Sequence, residues 1–153
     1  MRWLQARVPP PLVVLLAAVL IWGLRRAFPE EGIFIPYRRA VYWTLLVVGL
    51  AVVAAGIVQF RRARTTVNPM RPADASTLVT GGIYGFTRNP MYLGDVLILL
   101  AVAVFFSNPL GLAGVALFVA WMSLLQIPAE ERALAQAFGE DFRRYCERVR
   151  RWL

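Results

Sequence analysis

From Ala40 to Phe60 the chain runs without a single charged side chain for about the 20 residues that a bilayer core requires. A helix that is apolar on every side has to sit in lipid or deep inside a large protein, and this chain has only 153 residues. Three further stretches repeat the pattern: roughly Pro11 to Phe28, Met91 to Phe106, and Leu110 to Ile127. The first is short and starts at Pro9-Pro10-Pro11. The last two are separated only by Ser107-Asn108-Pro109, enough for a tight helical hairpin and nothing longer. With 59% hydrophobic residues and a mean hydropathy of +0.57, the expected fold is an all-α membrane protein in one domain. It has about four transmembrane helices, the last two a tight hairpin, and a C-terminal amphipathic interfacial helix. Gly49, Gly56, Gly111 and Gly114 mark places where helices can approach closely.

Charge then sets an orientation. All 17 basic residues are arginines, and the formal net charge is +8. Such a balance suits nucleic acid or an anionic membrane surface, and the apolar runs decide for the membrane. With four spans, the N-terminus, the Arg61–Arg88 loop and the C-terminal tail share one face and hold 13 of the 17 arginines. The positive-inside rule places that face in the cytoplasm. Arg25, Arg26, Arg38 and Arg39 lie on the other side, partly offset by Glu30 and Glu31. The expectation is a multi-pass protein of a bacterial inner membrane. Arg2 and Arg7 precede the first run in the manner of a signal peptide. No small-x-small cleavage site follows its core, so the run is read as retained.

Composition also excludes chemistry. There is no histidine, hence no Ser-His-Asp triad, no imidazole base and no His-built metal site. Cys146 is the only cysteine, so an intrachain disulfide and a cysteine cluster for zinc are both ruled out. Reactivity must come from carboxylates, arginine, tyrosine, hydroxyls, amides or a bound cofactor.

Ionisable residues at a membrane edge are functional candidates, because burying them is costly. Arg88 stands directly before the third span, Asp95 lies one turn inside it, and Glu130 and Glu131 follow Pro128 at the end of the fourth. The hairpin brings these ends to one depth on one face. Each also has a plainer reading: Arg88 snorkelling to lipid, the glutamates favouring a helix N-terminus, Asp95 paired with Arg88, Tyr84 and Tyr92 as interfacial aromatics. Beyond Pro128, Leu134, Phe138, Phe142, Tyr145, Val149 and Trp152 form one apolar stripe at helical spacing, with Arg143, Arg144, Arg148 and Arg151 largely off it.

The string Leu78-Val79-Thr80-Gly81-Gly82-Ile83-Tyr84-Gly85-Phe86-Thr87-Arg88-Asn89-Pro90-Met91-Tyr92-Leu93-Gly94 resembles the signature of isoprenylcysteine carboxyl methyltransferases, a broad family that includes phospholipid methyltransferases. Asn108-Pro109, Glu130-Glu131, Leu134, Phe138-Gly139, Tyr145 and Val149 resemble its second block, in the same order and spacing. The resemblance runs from about Asn68 to Trp152. It implies a cofactor, S-adenosyl-L-methionine, held at the cytosolic membrane edge without a Rossmann domain. The implied cofactor contacts are Ser76, Thr77, Leu78, Val79, Tyr84, Asn89, Pro90, Met91, Tyr92 and Glu130. On this reading residues 1–60 are an N-terminal helical pair and 61–153 the cofactor-binding, catalytic part. Two positions depart from the pattern: Asn89 stands where the family has histidine, and Gln126 where the carboxyl methyltransferases present an arginine to substrate.

These residues together give an expectation of methyl transfer to a lipophilic or lipid-like acceptor, with Arg88, Asp95, Gln126 and Glu131 as the catalytic candidates. Loss of a cation at Gln126 favours a neutral, amine or thiol acceptor over a carboxylate. The alternative is a non-catalytic membrane scaffold whose Arg-rich face docks a partner or anionic lipid. A dinucleotide-binding reductase is disfavoured, since one Gly-Gly pair is no phosphate-gripping motif.

Overall fold

The structure is a computed structural model that describes residues 8–64 and 77–153. Among the described residues the α-helices are α1 (Pro10–Ala27), α2 (Arg38–Arg62), α3 (Pro90–Phe106), α4 (Gly111–Trp121) and α5 (Ile127–Arg148). Short 3₁₀ turns at Pro29–Glu31 and Gly82–Gly85 precede α2 and α3. Among the described residues no strand occurs. Three helices among the described residues are long and apolar enough to cross a membrane: α1, α2, and the Gly111–Arg148 run that joins α4 and α5. The fourth apolar helix, α3, has 17 residues and a length of about 26 Å, slightly under the ~30 Å of a bilayer core. The protein is an integral membrane protein whose first three expected spans are found within a few residues of their sequence limits, while the fourth starts where expected and runs on past its expected end.

Packing is organised around α3. Its one side lies along α2, and its other side meets α1 and α4, which also pack on each other. Small residues make the close approach possible. A Cβ on Gly94 would stand 2.5 Å from Val53 Cγ2 and 2.7 Å from the Gly49 carbonyl oxygen. On the other side, a Cβ on Gly114 would stand 2.6 Å from Ile21 Cγ1. Without a hydrophobic drive between helices in lipid, such fit is what holds them together. The core joins Val13, Ala17 and Ile21 of α1 to Tyr92, Leu99 and Ala103 of α3 and to Val115, Phe118, Met122 and Ile127. Leu15, Leu16, Val47, Leu50 and Leu117 stay exposed on the outer faces, as lipid contact requires.

Both ends of the bundle are tied. At one end Ser107 takes a left-handed conformation (φ 50°), and Asn108 closes the α3–α4 turn by accepting from the Leu110 amide and donating to the Phe28 carbonyl. The Ile33 amide donates to the Ser107 carbonyl beside it. The other end gathers the loop into α3 and the chain beyond α5.

Two details depart from the sequence expectations. Pro128 does not separate the fourth span from the tail. The helix runs on through it, because one turn earlier, at Met122–Gln126, the backbone widens to a π-helical turn and relieves the clash that proline makes with the preceding turn. Nor does the tail carry one straight apolar stripe. Gly139, at φ 51° and ψ −119°, breaks the helix in a conformation open to glycine alone, and Val149 is already extended. Phe142, Tyr145 and Val149 pack with Leu78, Leu134 and Phe138, whereas Trp152 leaves this group and joins the main core.

Gly94→Ala is expected to force α2 from α3 and to cost about 1–3 kcal/mol, read as a fall in the thermal unfolding midpoint in detergent. Gly23→Ala, whose Cβ would meet nothing within 4 Å, is expected to leave that midpoint unchanged or slightly higher.

Candidate functional site

Three separate segments build one polar cluster at the end of the bundle opposite Ser107. The first is the entry to α3. After the 3₁₀ turn, Thr87 Oγ1 accepts from the Asn89 amide, and Pro90 opens the helix at a position where its missing N–H is harmless. Tyr92, two residues further on, is 6% exposed and points toward the second segment.

That second segment is the α4–α5 junction. The π-helical turn ends at Gln126, which is 1% exposed, and Glu130 follows one turn later on the same face. Glu130 Oε1 accepts twice: from the Tyr92 hydroxyl at 2.5 Å and from Gln126 Nε2 at 2.7 Å. Both described partners of this carboxylate are neutral donors. The adjacent Glu131 lies about 100° round the helix and faces cations instead. Arg88 Nη2 stands 3.1 Å from its Oε1, and Arg151 donates to both its oxygens, at 3.2 and 2.6 Å.

The third segment is the chain after α5. The Arg150 carbonyl accepts from the Arg88 amide, and the Arg151 carbonyl accepts from Asn89 Nδ2 at 2.8 Å and Thr87 Oγ1 at 3.3 Å. Trp152 Nε1 donates to Ser123 Oγ at 3.1 Å, and the Tyr145 hydroxyl to the Tyr84 carbonyl at 2.7 Å. A returning C-terminal strand of backbone thus closes the site's edge.

Among the described residues, two buried donors inside this frame have no partner: the Tyr84 hydroxyl and Arg88 Nε. Burial first, then the neighbouring Tyr145 and Glu130, push the Tyr84 phenol above its ordinary value, so it is a neutral donor at any physiological pH. Phe60 of α2 stands edge-on to its ring at 5.4 Å. A buried donor without an acceptor is costly and marks a place where a ligand can supply one.

The expected residues distribute as follows. Tyr84, Arg88, Asn89, Pro90, Tyr92, Gln126, Glu130 and Glu131 are brought together. Leu78 turns toward Phe142, Tyr145 and Val149, and Val79 is half-buried while Thr77 is exposed. Met91 packs under Gly56 of α2. Asp95 is half-buried on α3, and Arg88 pairs with Glu131 rather than with it. Ser76 lies outside the described residues. Sequence reasoning missed Arg151, Trp152 and Ser123, and the backbone carbonyls of Arg150 and Arg151. No periodicity links residues some 20 to 60 positions apart, and carbonyl acceptors carry no side-chain signal at all.

The fold and this cluster define a polytopic membrane protein that assembles a half-buried acid, neutral donors and paired arginines at one end of its bundle. The phospholipid methyltransferase family model matches residues 37–141, and the chain belongs to that family. Protein-S-isoprenylcysteine O-methyltransferase of Xenopus laevis is 32% identical over 142 residues, covering 88% of this chain and 48% of its own length. Protein-S-isoprenylcysteine O-methyltransferase B of Arabidopsis thaliana is 28% identical over 125 residues, 78% of this chain and 64% of its own. An uncharacterized protein of Haemophilus influenzae is 44% identical over 63 residues, 41% of this chain and all of its own length. The chain therefore spans about half to two thirds of the methyltransferase relatives it matches. No solved structure matches it.

Glu131→Gln is expected to loosen the C-terminal strand, leaving Arg88 and Arg151 without their counter-charge at a loss of about 1–3 kcal/mol for a partly exposed cluster. Limited proteolysis checks this, with faster cleavage beyond Arg148 than in the native chain. Arg143→Ala, which removes an exposed pair with Glu140 on the tail, should leave the cleavage rate as it was.

Proposed function

We propose that the protein transfers a methyl group from S-adenosylmethionine to a lipophilic acceptor that enters from the bilayer. The observation that carries this reading is the 2.5 Å hydrogen bond from Tyr92 to Glu130, because it joins the two sequence blocks in which the family resemblance resides. The matched family and relatives named as methyltransferases support the same reaction class.

The residues fit the proposed cofactor. It presents an ammonium, a carboxylate, hydroxyls and a sulfonium. Glu130, whose described partners are neutral, can accept the ammonium as a charge-assisted pair. The unpartnered Arg88 Nε suits the carboxylate, and the unpartnered Tyr84 hydroxyl suits an oxygen or ring nitrogen. When bound, the sulfonium supplies an intrinsically good methyl donor, so the protein's work is alignment and exclusion of water. Tyr92 and Gln126 fix the direction of Glu130, and the strand after α5 shields the edge.

Acceptor recognition follows from Gln126. It brings no cation, and its amide is already directed to Glu130, which favours an amine or neutral acceptor over a carboxylate. An amine must lose a proton on methylation. Glu131 is engaged by two arginines, which leaves Asp95, half-buried one turn beyond Tyr92, as the carboxylate to receive it. Placing this face of the bundle in the cytoplasm accords with its share of the arginines.

Isothermal titration of the detergent-purified protein with S-adenosylhomocysteine is expected to show binding that Glu130→Ala abolishes and Glu140→Ala leaves intact. Absence of binding at high micromolar concentration would overturn the reading. In a tritiated-methyl transfer assay with extracted host lipids, Asp95→Asn is expected to lower turnover on an amine acceptor roughly 100-fold while S-adenosylhomocysteine still binds. Unchanged turnover would remove Asp95 from the reaction.

A further inference from the structure

At the opposite end of the bundle from Glu130, a recess of about 640 Å³ opens where α2 begins and α3 ends. It is lined by Ile33, Phe34, Ile35, Tyr37, Arg38, Arg39, Ala40 and Ser107. Two adjacent guanidinium groups therefore border one cavity, with no acidic residue in its lining. Arg38 is held in place: its Nη1 donates to Ser107 Oγ at 2.9 Å, and that hydroxyl donates on to the Val104 carbonyl at 3.2 Å. Among the described residues its remaining donors, and those of Arg39, stay available to a ligand. Glu30 and Glu31, the acids on this side, sit in the separate turn before α2 and do not border the recess.

The rest of the lining also points to lipid. Phe34 is 89% and Tyr37 86% exposed, which suits side chains seated among headgroups at the membrane–water boundary. Below them Trp43, Val47 and Leu50 present an exposed apolar face along α2, where acyl chains can lie. A recess with a mostly apolar lining and two arginines at its border, continued by an apolar face along α2, matches the plan of a phospholipid.

We infer that this recess is a binding site for the phosphodiester of a phospholipid in the leaflet opposite the Tyr92–Glu130 cluster. Arg38 and Arg39 grip the phosphate, Ile33, Ile35 and Ala40 border the glycerol backbone, and the chains descend along α2. The phosphate accepts several charge-assisted hydrogen bonds at once, which arginine forks favour. The bound lipid is not the methyl acceptor. The 17 residues of α3, about 26 Å, separate Ser107 from the entry to the proposed catalytic cluster. The site stands whether or not the methyl-transfer reading does.

Native mass spectrometry of the full chain in mild detergent tests it, with titrations of phosphatidylglycerol, of diacylglycerol with the same chains, and of inorganic phosphate. One phosphatidylglycerol is expected to be retained, and Arg39→Gln to weaken retention roughly tenfold. The Arg38→Gln, Arg39→Gln double variant should weaken it further. Should the double variant fail to fold, the exposed Arg39→Gln change decides alone. Arg26→Gln, which removes a cation lying over Trp22 outside the recess, should change nothing. Equal retention of diacylglycerol, binding of inorganic phosphate without lipid, or an equal loss on Arg26→Gln would each overturn the assignment.

Discussion

The hydrogen bond from the Tyr92 hydroxyl to Glu130 is the contact on which the architecture of the site depends. It ties the first turn of α3 to the long helix that runs on from α4, at the end of the bundle opposite Ser107. A carboxylate in that position is unfavourable unless donors surround it, and Tyr92 and Gln126 do so without cancelling its charge. Much of the neighbouring structure keeps those donors in position. The glycine contacts between α2 and α3 set where α3 stands. The π-helical turn sets where Gln126 and Glu130 face.

The spans were legible in the sequence because the bilayer imposes a length, and a run such as Ala40–Phe60 states it directly. Also legible was the meeting of Arg88, Tyr92, Glu130 and Glu131, since a three-residue hairpin leaves its two helices little freedom. Pro128 misled. Proline usually ends a helix, and the compensating π-helical turn lies in Met122–Gln126, whose side chains give no sign of it. The tail stripe held for Leu134, Phe138, Phe142, Tyr145 and Val149, which form one group. A period of about 3.6 assumes a continuous helix, however, and with the break at Gly139 and the extended chain at Val149, Trp152 turns to the main core. The pairing of Arg151 with Glu131 was hidden because Arg151 lies beyond α5, outside the hairpin that fixes the other partners.

The roles of the arginines divide by end of the bundle. At the Glu130 end, Arg88 and Arg151 converge on one carboxylate and join the loop before α3 to the strand after α5. The opposite end has Arg25 donating to the Pro29 carbonyl and Arg26 lying over Trp22, local contacts that stabilise a helix terminus, while Arg38 is braced by Ser107. Four cations on the less basic side, at odds with the bias that orients such proteins, thus have individual structural reasons or a lipid to answer to.

Glu130 and Glu131 are neighbours in sequence that face different surroundings. One looks into the cluster with Tyr92 and Gln126, and its twin fastens the frame. Holding ligand chemistry and mechanical anchorage on consecutive residues separates the two under selection. On the proposed reading, Gln126 and its surroundings can change, and with them the molecules accepted, while Glu131 keeps the scaffold closed. A membrane scaffold this small can in that way diversify its repertoire without first rebuilding itself.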